Sequence, residues 1–393
     1  MKTESPFTKN KKTLFISDYK TSMLSDGRIA HDRVDNFLCL DTGLIFNASG
    51  PRTSLKGFYS DEYDLHSESS ESEFRYFDSD EVVGIYDEIA KFISLAIKKQ
   101  KDIETILDVG CGKGLLLSKL SKNFTMAKLH GVEPSRNAHK FFQKVLPHVT
   151  LSESTYEDSP FINETFDLIT SNGVLEHVPD PVAFLKNIRN SLKDDGYLYI
   201  GVPNFENNPA DLFTFDHLTR FTPSTLDSTF KLAGFKIVSS KIFDKRVPMW
   251  FMVQKSNQFS LDKLTINIDE QKILIAKTLR ELKAFFDSYE IASQRIAQTK
   301  NKIALYGTGG FGLIATEYTQ MHTDLIACIL DDNASMWGSK RLGINVIDPK
   351  KLAEHENVTE IVISANPCYV PLIAQKALDL FKDKKINIHV PKI

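Results

Sequence analysis

Asp108-Val109-Gly110-Cys111-Gly112-Lys113-Gly114 is the stretch that decides the fold of this chain. A short apolar strand, Thr105-Ile106-Leu107-Asp108-Val109, runs into it, and an amphipathic helix pattern, Leu115 to Lys122, leaves it. Glycine at every second position lets the backbone turn sharply and approach a ligand closely. Asp108 stands at the end of the strand beside the loop, and Glu133 closes the next apolar strand, Lys128-Leu129-His130-Gly131-Val132-Glu133. An acidic side chain at that second place can accept both hydroxyls of a ribose.

Outward from the loop, strands and helix patterns alternate. Phe166-Asp167-Leu168-Ile169-Thr170 is a third strand and Tyr197-Leu198-Tyr199-Ile200-Gly201-Val202 a fourth. Apolar strands separated by helices predict a parallel sheet covered on both faces. Glu81 to Lys99 has Val82, Ile85, Ile89, Phe92, Ile93 and Ile97 at helical spacing and reads as the helix before the sheet. The 393 residues leave room for two to three domains of ~100–200 residues each. With 42% hydrophobic and 25% charged residues, the chain is neither disordered, collagen-like nor a disulfide scaffold. Lys+Arg 48 against Asp+Glu 51 gives net −3, so no global basic charge points to nucleic acid. No run reaches the ~18–20 apolar residues that span a bilayer. Cys39, Cys111, Cys328 and Cys368 form no Cys-x-x-Cys pair, which suits reduced thiols and a cytoplasmic protein without membrane partners.

The loop continues into Asn172-Gly173-Val174-Leu175-Glu176-His177-Val178, then Leu192-Lys193-Asp194-Asp195-Gly196 before the strand ending in Pro203-Asn204, then Asp216-His217-Leu218-Thr219-Arg220-Phe221-Thr222-Pro223. Over about residues 85 to 240 these motifs resemble the class I S-adenosylmethionine (SAM) methyltransferases. The resemblance implies that Gly110, Cys111, Gly112 and Gly114 line the methionine part of SAM, that Glu133 holds its ribose, that Asp108 holds the amino end directly or through water, and that Asn172 joins the cofactor site. The rival reading is a dinucleotide-binding unit, which prefers G-x-G-x-x-G, a pattern this loop lacks.

Methyl transfer from a sulfonium is an in-line displacement, so the enzyme chiefly aligns donor and acceptor. A hydroxyl acceptor is helped by a base, and a carbon acceptor needs one. His177 and His217 are the candidates. His177 follows a strand at the edge where ligands bind in open α/β sheets. His217 lies in the long connection Pro203 to Pro223, too long to be a simple link. Each is also readable as a hydrogen-bonded structural histidine. Glu176 and Asp216, their chain neighbours, are candidates for holding the acceptor.

The flanks bear on that acceptor. Cys39-Leu40-Asp41-Thr42-Gly43-Leu44-Ile45-Phe46-Asn47 reads as a hairpin and resembles the zinc-ribbon module of bacterial nucleotide-sugar C-methyltransferases. Thr42 stands where the second cysteine would be, and a structural zinc needs about four ligands. No metal is therefore expected there. Tyr63, in Glu62-Tyr63, is a third catalytic candidate by the same resemblance, and Ser67 to Glu73 reads as a loop or a lid. Leu261 to about Gln298 reads as one helix. The tail opens with Lys302-Ile303-Ala304-Leu305-Tyr306 and Gly307-Thr308-Gly309-Gly310-Phe311-Gly312, with Asp331 and Asp332 ending the next strand. That loop matches G-x-G-x-x-G and resembles the C-terminal domain of the same enzymes. Gly307, Gly309, Gly312 and Asp331 are then nucleotide-sugar contacts; NAD binding and a purely structural turn are the alternatives. Thr214-Phe215-Asp216-His217 departs from the Tyr-x-Glu-His run of those enzymes, so carbon, oxygen and nitrogen acceptors all stay open.

The expected fold is α/β: a degenerate ribbon-like module at 1–80, a central Rossmann-like class I methyltransferase domain at 81–245, a helical linker at 259–300 and a smaller Rossmann-like domain at 301–393. The expected activity is SAM-dependent methyl transfer to a small-molecule acceptor, a nucleotide-linked sugar of a bacterial surface-glycan or natural-product pathway, by a monomer or homodimer. An O- or N-methyltransferase of another small molecule, and a non-catalytic SAM-binding scaffold, are the rival readings.

Overall fold

A computed structural model of the chain describes residues 3–9, 11–50, 57, 59–60, 75–78, 81–97, 101–244, 248–257, 266–355 and 357–392. The chain divides into two units that interleave along the sequence. One comprises 1–16, 36–205 and 216–268; the other comprises 17–35, 206–215 and 269–393. The linear order expected from sequence is thus broken twice, by an early segment and by part of the long connection that both belong with the tail.

The first unit is built on seven strands: β1 (Thr105–Val109), β2 (Lys128–Val132), β3 (Thr150–Ser152), β4 (Phe166–Asn172), β5 (Leu192–Val202), β6 (Phe235–Lys241) and β7 (Met249–Lys255). Their order across the sheet is β3-β2-β1-β4-β5-β7-β6. β1 to β5 pair in parallel, and β7 runs antiparallel to both β5 and β6. This is the Rossmann-like α/β sheet expected from sequence. Its helices are α1 (Ile85–Ala96), α2 (Leu115–Asn123), α3 (Arg136–Val145), α4 (Pro181–Asn190) and α5 (Pro223–Leu232).

The period of two along each strand explains why both faces are covered. Ile106, Leu168, Tyr197 and Tyr199 pack with Ile89 and Ile93 of α1 and Leu117 and Leu120 of α2. Leu107, Ile169, Leu198 and Ile200 pack instead with Phe184, Leu185 and Ile188 of α4 and Phe230 of α5. Each such buried aliphatic side chain contributes about 1.5–3 kcal/mol. Local chemistry sets the helix starts. The Asp180 carboxylate accepts the Val182 and Ala183 N–H groups, each at 3.0 Å, with Pro181 as the first helical residue of α4. Thr222 and Thr225 form a reciprocal capping box ahead of α5.

Three expectations are corrected. The helix expected from Glu81 begins only at Ile85, because Glu81–Gly84 pairs antiparallel with Arg75–Asp78 as a strand. Val82-Val83 is β-branched and Gly84 interrupts, so strand pairing wins over an apolar spacing that fits either state. The polar run Leu192 to Asp195 is already strand β5. The long helix α6 is Ile268–Thr299, shorter at its start than expected, and it belongs to the tail unit and is no linker.

The expected hairpin is present. Val34–Cys39 pairs antiparallel with Ile45–Asn47, and Phe37 and Phe46 stack in its core. Cys39 is a buried free thiol that accepts the Ser5 hydroxyl at 3.1 Å. The strand Ile45–Asn47 also pairs with Thr219–Arg220, which ties the connection after β5 to the hairpin.

The second unit carries six strands, β8 (Lys302–Tyr306), β9 (Ile326–Leu330), β10 (Lys340–Arg341), β11 (Ile344–Ile347), β12 (Val358–Ile363) and β13 (Asn387–His389), ordered β10-β11-β9-β8-β12-β13. All pair in parallel except β10 with β11. Helices α7 (Gly310–Tyr318) and α8 (Val370–Phe381) complete it. Phe285, Phe286 and Phe311 form an aromatic core with Phe213, and the Tyr19 ring stacks on Phe213 at 3.7 Å. This is how residues 17–35 and 206–215 join the tail. Among the described residues no helix is long and apolar enough to cross a membrane.

Candidate active site

The loops after β1, β2, β4 and β5 gather at the C-terminal edge of the first sheet, where open α/β sheets bind ligands. After β1 the loop 110–114 has its three glycines at φ +73°, +51° and +79°, the left-handed region that only glycine adopts cheaply. Space is as tight as conformation. A Cβ on Gly110 would lie 2.3 Å from Val174 Cγ2, and one on Gly114 2.8 Å from the Phe142 ring.

Glu133 faces this loop. One carboxylate oxygen accepts the Gly112 N–H and the other the Ser135 N–H, both at 2.8 Å. A carboxylate offers about four lone-pair sites, so these two braces and a vicinal diol are compatible. Asp108 is buried at the end of β1, and its Oδ1 accepts the Thr170 hydroxyl at 2.7 Å. Burial pushes its carboxyl up to about 7; the Thr170 hydrogen bond pulls it down in part, and the negative Glu133 adds to the rise. A buried acid held in this state gains from a cation, and the ammonium of an amino-acid ligand is the right charge for it. Cys111 lies between the two acids. Burial first, then the Asp108 and Glu133 charges, raise its thiol well above the ordinary value. The sulfur therefore stays protonated and poorly nucleophilic. Asn172, the last residue of β4, accepts the Tyr199 hydroxyl at 3.1 Å. Gly201 faces it, and a Cβ there would lie 2.1 Å from the Asn172 Oδ1.

The donor set thus fits SAM: a buried acid for the ammonium, a glycine loop for the methionine part and a second acid for the ribose. Sequence reasoning singled out each of these residues, and the fold brings Asp108, Gly110, Cys111, Gly112, Gly114, Glu133 and Asn172 to one sheet edge.

The two histidines meet beyond β4. The Glu176 carbonyl accepts the Leu218 and Thr219 N–H groups at 2.7 and 3.1 Å, which draws the connection 216–219 against the turn that carries His177. The His177 and His217 rings then pack edge to face, 4.8 Å between centroids. His177 Nδ1 lies 2.9 Å from the Asp216 carbonyl oxygen and 2.7 Å from the Tyr59 hydroxyl, and that hydroxyl donates to Asp216 Oδ2 at 3.4 Å. Asp216 is fully buried. Its carbonyl and carboxylate lie against the His177 ring and the Tyr59 hydroxyl. Glu176, His177 and His217 each bring one ligand atom within 4.8 Å of the others. That set could hold a divalent ion, although no metal was expected from sequence.

Tyr63 and the acidic stretch 67–73 lie outside the described residues. Tyr59, four positions before Tyr63 and given no role from sequence, is the aromatic residue that reaches the histidines. It sits 118 positions before its partner, and no spacing signal could have linked them.

The tail loop is built differently. Gly307, at φ +122°, and Gly312 face the Ser364 carbonyl, which would lie 2.3 and 2.2 Å from a Cβ on each. Gly309 has φ −63° and nothing within 4 Å of its Cβ position. Asp331 accepts the Thr308 N–H and hydroxyl on one oxygen, at 3.0 and 2.5 Å, and the Asn333 N–H on the other at 2.8 Å. Close packing of β12 therefore accounts for two of the three glycines, and the acid is engaged by its own loop.

Comparison with known proteins falls on the first unit. Residues 84–240 match the family model described as a methyltransferase domain. The ubiquinone biosynthesis O-methyltransferase of Actinobacillus pleuropneumoniae serotype 7 is 34% identical over 110 residues, 25% of this chain and 45% of that protein. An uncharacterized methyltransferase of Schizosaccharomyces pombe is 31% identical over 113 residues, 26% of this chain and 41% of that protein. The chain thus spans less than half the length of the curated relatives it matches. Among solved structures, a SAM-dependent methyltransferase from Clostridium acetobutylicum is similar with 14% identity and a TM-score of 0.36, over 44% of this chain and 90% of that one. Neither the ribbon resemblance nor the sugar-enzyme resemblance appears among these relatives. Residues 84–240 are thus similar to a methyltransferase domain, and the acids, the glycine loop and both histidines lie within that span.

Proposed function

We propose that the protein transfers the methyl group of SAM to a small-molecule acceptor, a nucleotide-linked sugar, using the histidine pair beyond β4 to take up the acceptor's proton. The observation that carries the reading is the convergence on one sheet edge of the SAM-type acids and a braced imidazole. When bound, SAM supplies a methyl already activated by its sulfonium. The chain's own residues do the rest. Asp108 neutralises the ammonium, Glu133 fixes the ribose, the glycine backbone closes over the methionine part, and an imidazole accepts the proton of the attacking group.

The sugar acceptor is supported by the added tail unit with its open position at Gly309, since a methyltransferase domain alone needs only a typical domain's length. Several relatives are named as ubiquinone biosynthesis O-methyltransferases, which favours a second reading, O-methylation of a different small molecule. The test is a panel of nucleotide-sugars and phenols incubated with SAM and read by mass spectrometry. Methyl gain on a nucleotide-sugar supports the first reading and gain on a phenol alone the second. Binding of SAM with no methylated product from any pool would leave a non-catalytic SAM-binding protein.

A further inference from the structure

The geometry points to Tyr59 as a positioning residue that, together with Asp216, holds the His177 imidazole in the tautomer whose Nε2 takes the acceptor's proton. The inference rests on the proposed methyl transfer, and it separates the two histidines that the sequence left equivalent.

Three distances fix the hydrogens. The Asp216 main-chain oxygen lies 2.9 Å from His177 Nδ1, and a carbonyl oxygen only accepts. Nδ1 therefore carries the hydrogen. The same N–H also faces the Tyr59 oxygen at 2.7 Å, so that oxygen accepts from it. The Tyr59 O–H is then turned toward the Asp216 carboxylate, 3.4 Å away. The opposite tautomer would press a lone pair on Nδ1 against the lone pairs of the carbonyl. With Nδ1 protonated, the basic lone pair of neutral His177 is at Nε2.

This arrangement gives His177 what a base needs: a fixed ring, a fixed tautomer and an anion nearby to support the imidazolium that forms. Asp216 Oδ2 is 3.7 Å from Nδ1, with a fully buried side chain. The Tyr59 hydroxyl bridges that gap. In the step, the acceptor X–H bond gives its proton to Nε2, X forms the new bond to the methyl carbon, and the C–S bond pair returns to sulfur as the neutral thioether. His217, packed edge-on against His177, then shapes the wall of the site and is not the primary proton acceptor.

Nitrogen NMR on the full chain labelled with 15N-histidine and saturated with S-adenosylhomocysteine tests this without an acceptor. His177 is assigned from the signal lost in His177→Gln. We expect the neutral wild-type ring to show a protonated Nδ1 and a pyridine-type Nε2. In Tyr59→Phe, both nitrogens should move toward the averaged positions of a tautomer mixture, while S-adenosylhomocysteine affinity and melting temperature stay unchanged. His217→Gln should leave the His177 tautomer as it is. A wild-type ring protonated at Nε2 overturns the assignment. A Tyr59→Phe variant with an unaltered His177 tautomer overturns the positioning role. Both readouts are independent of whether any methyl is transferred, so a failure here is distinct from a failure of the proposed function.

Discussion

The two glycine loops of this chain share a grammar, yet they differ in the acids that surround them. Each follows the first parallel strand of its own sheet, opens a helix and faces an acid that ends the neighbouring strand. The difference lies two residues before the first glycine. In the central loop that position is Asp108, a buried carboxylate that burial pushes up to about 7. In the tail it is Leu305, fully buried and without charge. The tail's acid is also consumed at home, since Thr308 and Asn333 supply three donors to Asp331. The central loop therefore carries a buried acid that a cation would stabilise, while the acid of the tail loop is engaged by neighbouring donors. Glycines alone do not distinguish the two loops. In both, some glycines are demanded by neighbouring atoms of the protein itself.

Substitutions at the glycines should break the comparison most strongly. Gly110→Ala combines a left-handed φ with a Cβ driven into Val174. We predict a loss of about 2–4 kcal/mol in unfolding free energy together with loss of SAM binding, measured by denaturant titration and calorimetry. Gly309→Ala, with an ordinary φ and open space around it, should stay within about 0.5 kcal/mol of wild type. Gly312→Ala meets the Ser364 carbonyl and should weaken the tail while leaving SAM affinity intact.

The acids come next. Glu133→Ala removes the acid proposed to hold the ribose and should weaken SAM by roughly 10–100-fold, on about 1.5–3 kcal/mol for one charge-assisted bond. Asp331→Ala should leave SAM affinity unchanged. It should also leave the melting temperature insensitive to NAD; an NAD-induced rise in wild type that this substitution removes would make the tail a dinucleotide site.

Asp108 gives a smaller effect with a diagnostic sign. Its folded value of about 7 lies above the unfolded value near 3.9. The folded state therefore binds the proton more tightly, and this group lowers stability as pH rises from about 4 to about 7. Asp108→Asn removes that deficit. Without ligand, the variant should melt a few degrees above wild type at pH 8, a gap of about 2–4 °C per kcal/mol that closes below about pH 4. The same variant should bind SAM less well. Wild-type SAM affinity should rise between pH 6 and 8 as the Asp108 proton leaves, and the variant should lack that rise.

Much of the central site was legible in the sequence because its parts are close along the chain. Asp108, the loop and Glu133 fall within two consecutive strand–helix turns, so spacing alone aligns them. The hairpin was legible for the same reason, with Phe37 and Phe46 separated by a single turn. What escaped depends on contacts between distant segments. Tyr59 reaches His177 across 118 residues. Residues 17–35 and 206–215 belong with the tail because Tyr19 stacks on Phe213 and the Phe215 N–H reaches the Met23 carbonyl at 2.8 Å. Local pattern carries no record of such pairings. The strand at Glu81–Gly84 was misread as helix because Val82 fits both periods, and only its partner, Arg75–Asp78, decides between them.

Calorimetric titration of S-adenosylhomocysteine into the full chain tests the central claim most directly. The account predicts one binding site per chain, strongly weakened by Glu133→Ala and unaltered by Gly312→Ala or Asp331→Ala. A second site, or binding that survives Glu133→Ala and disappears with Asp331→Ala, would contradict it.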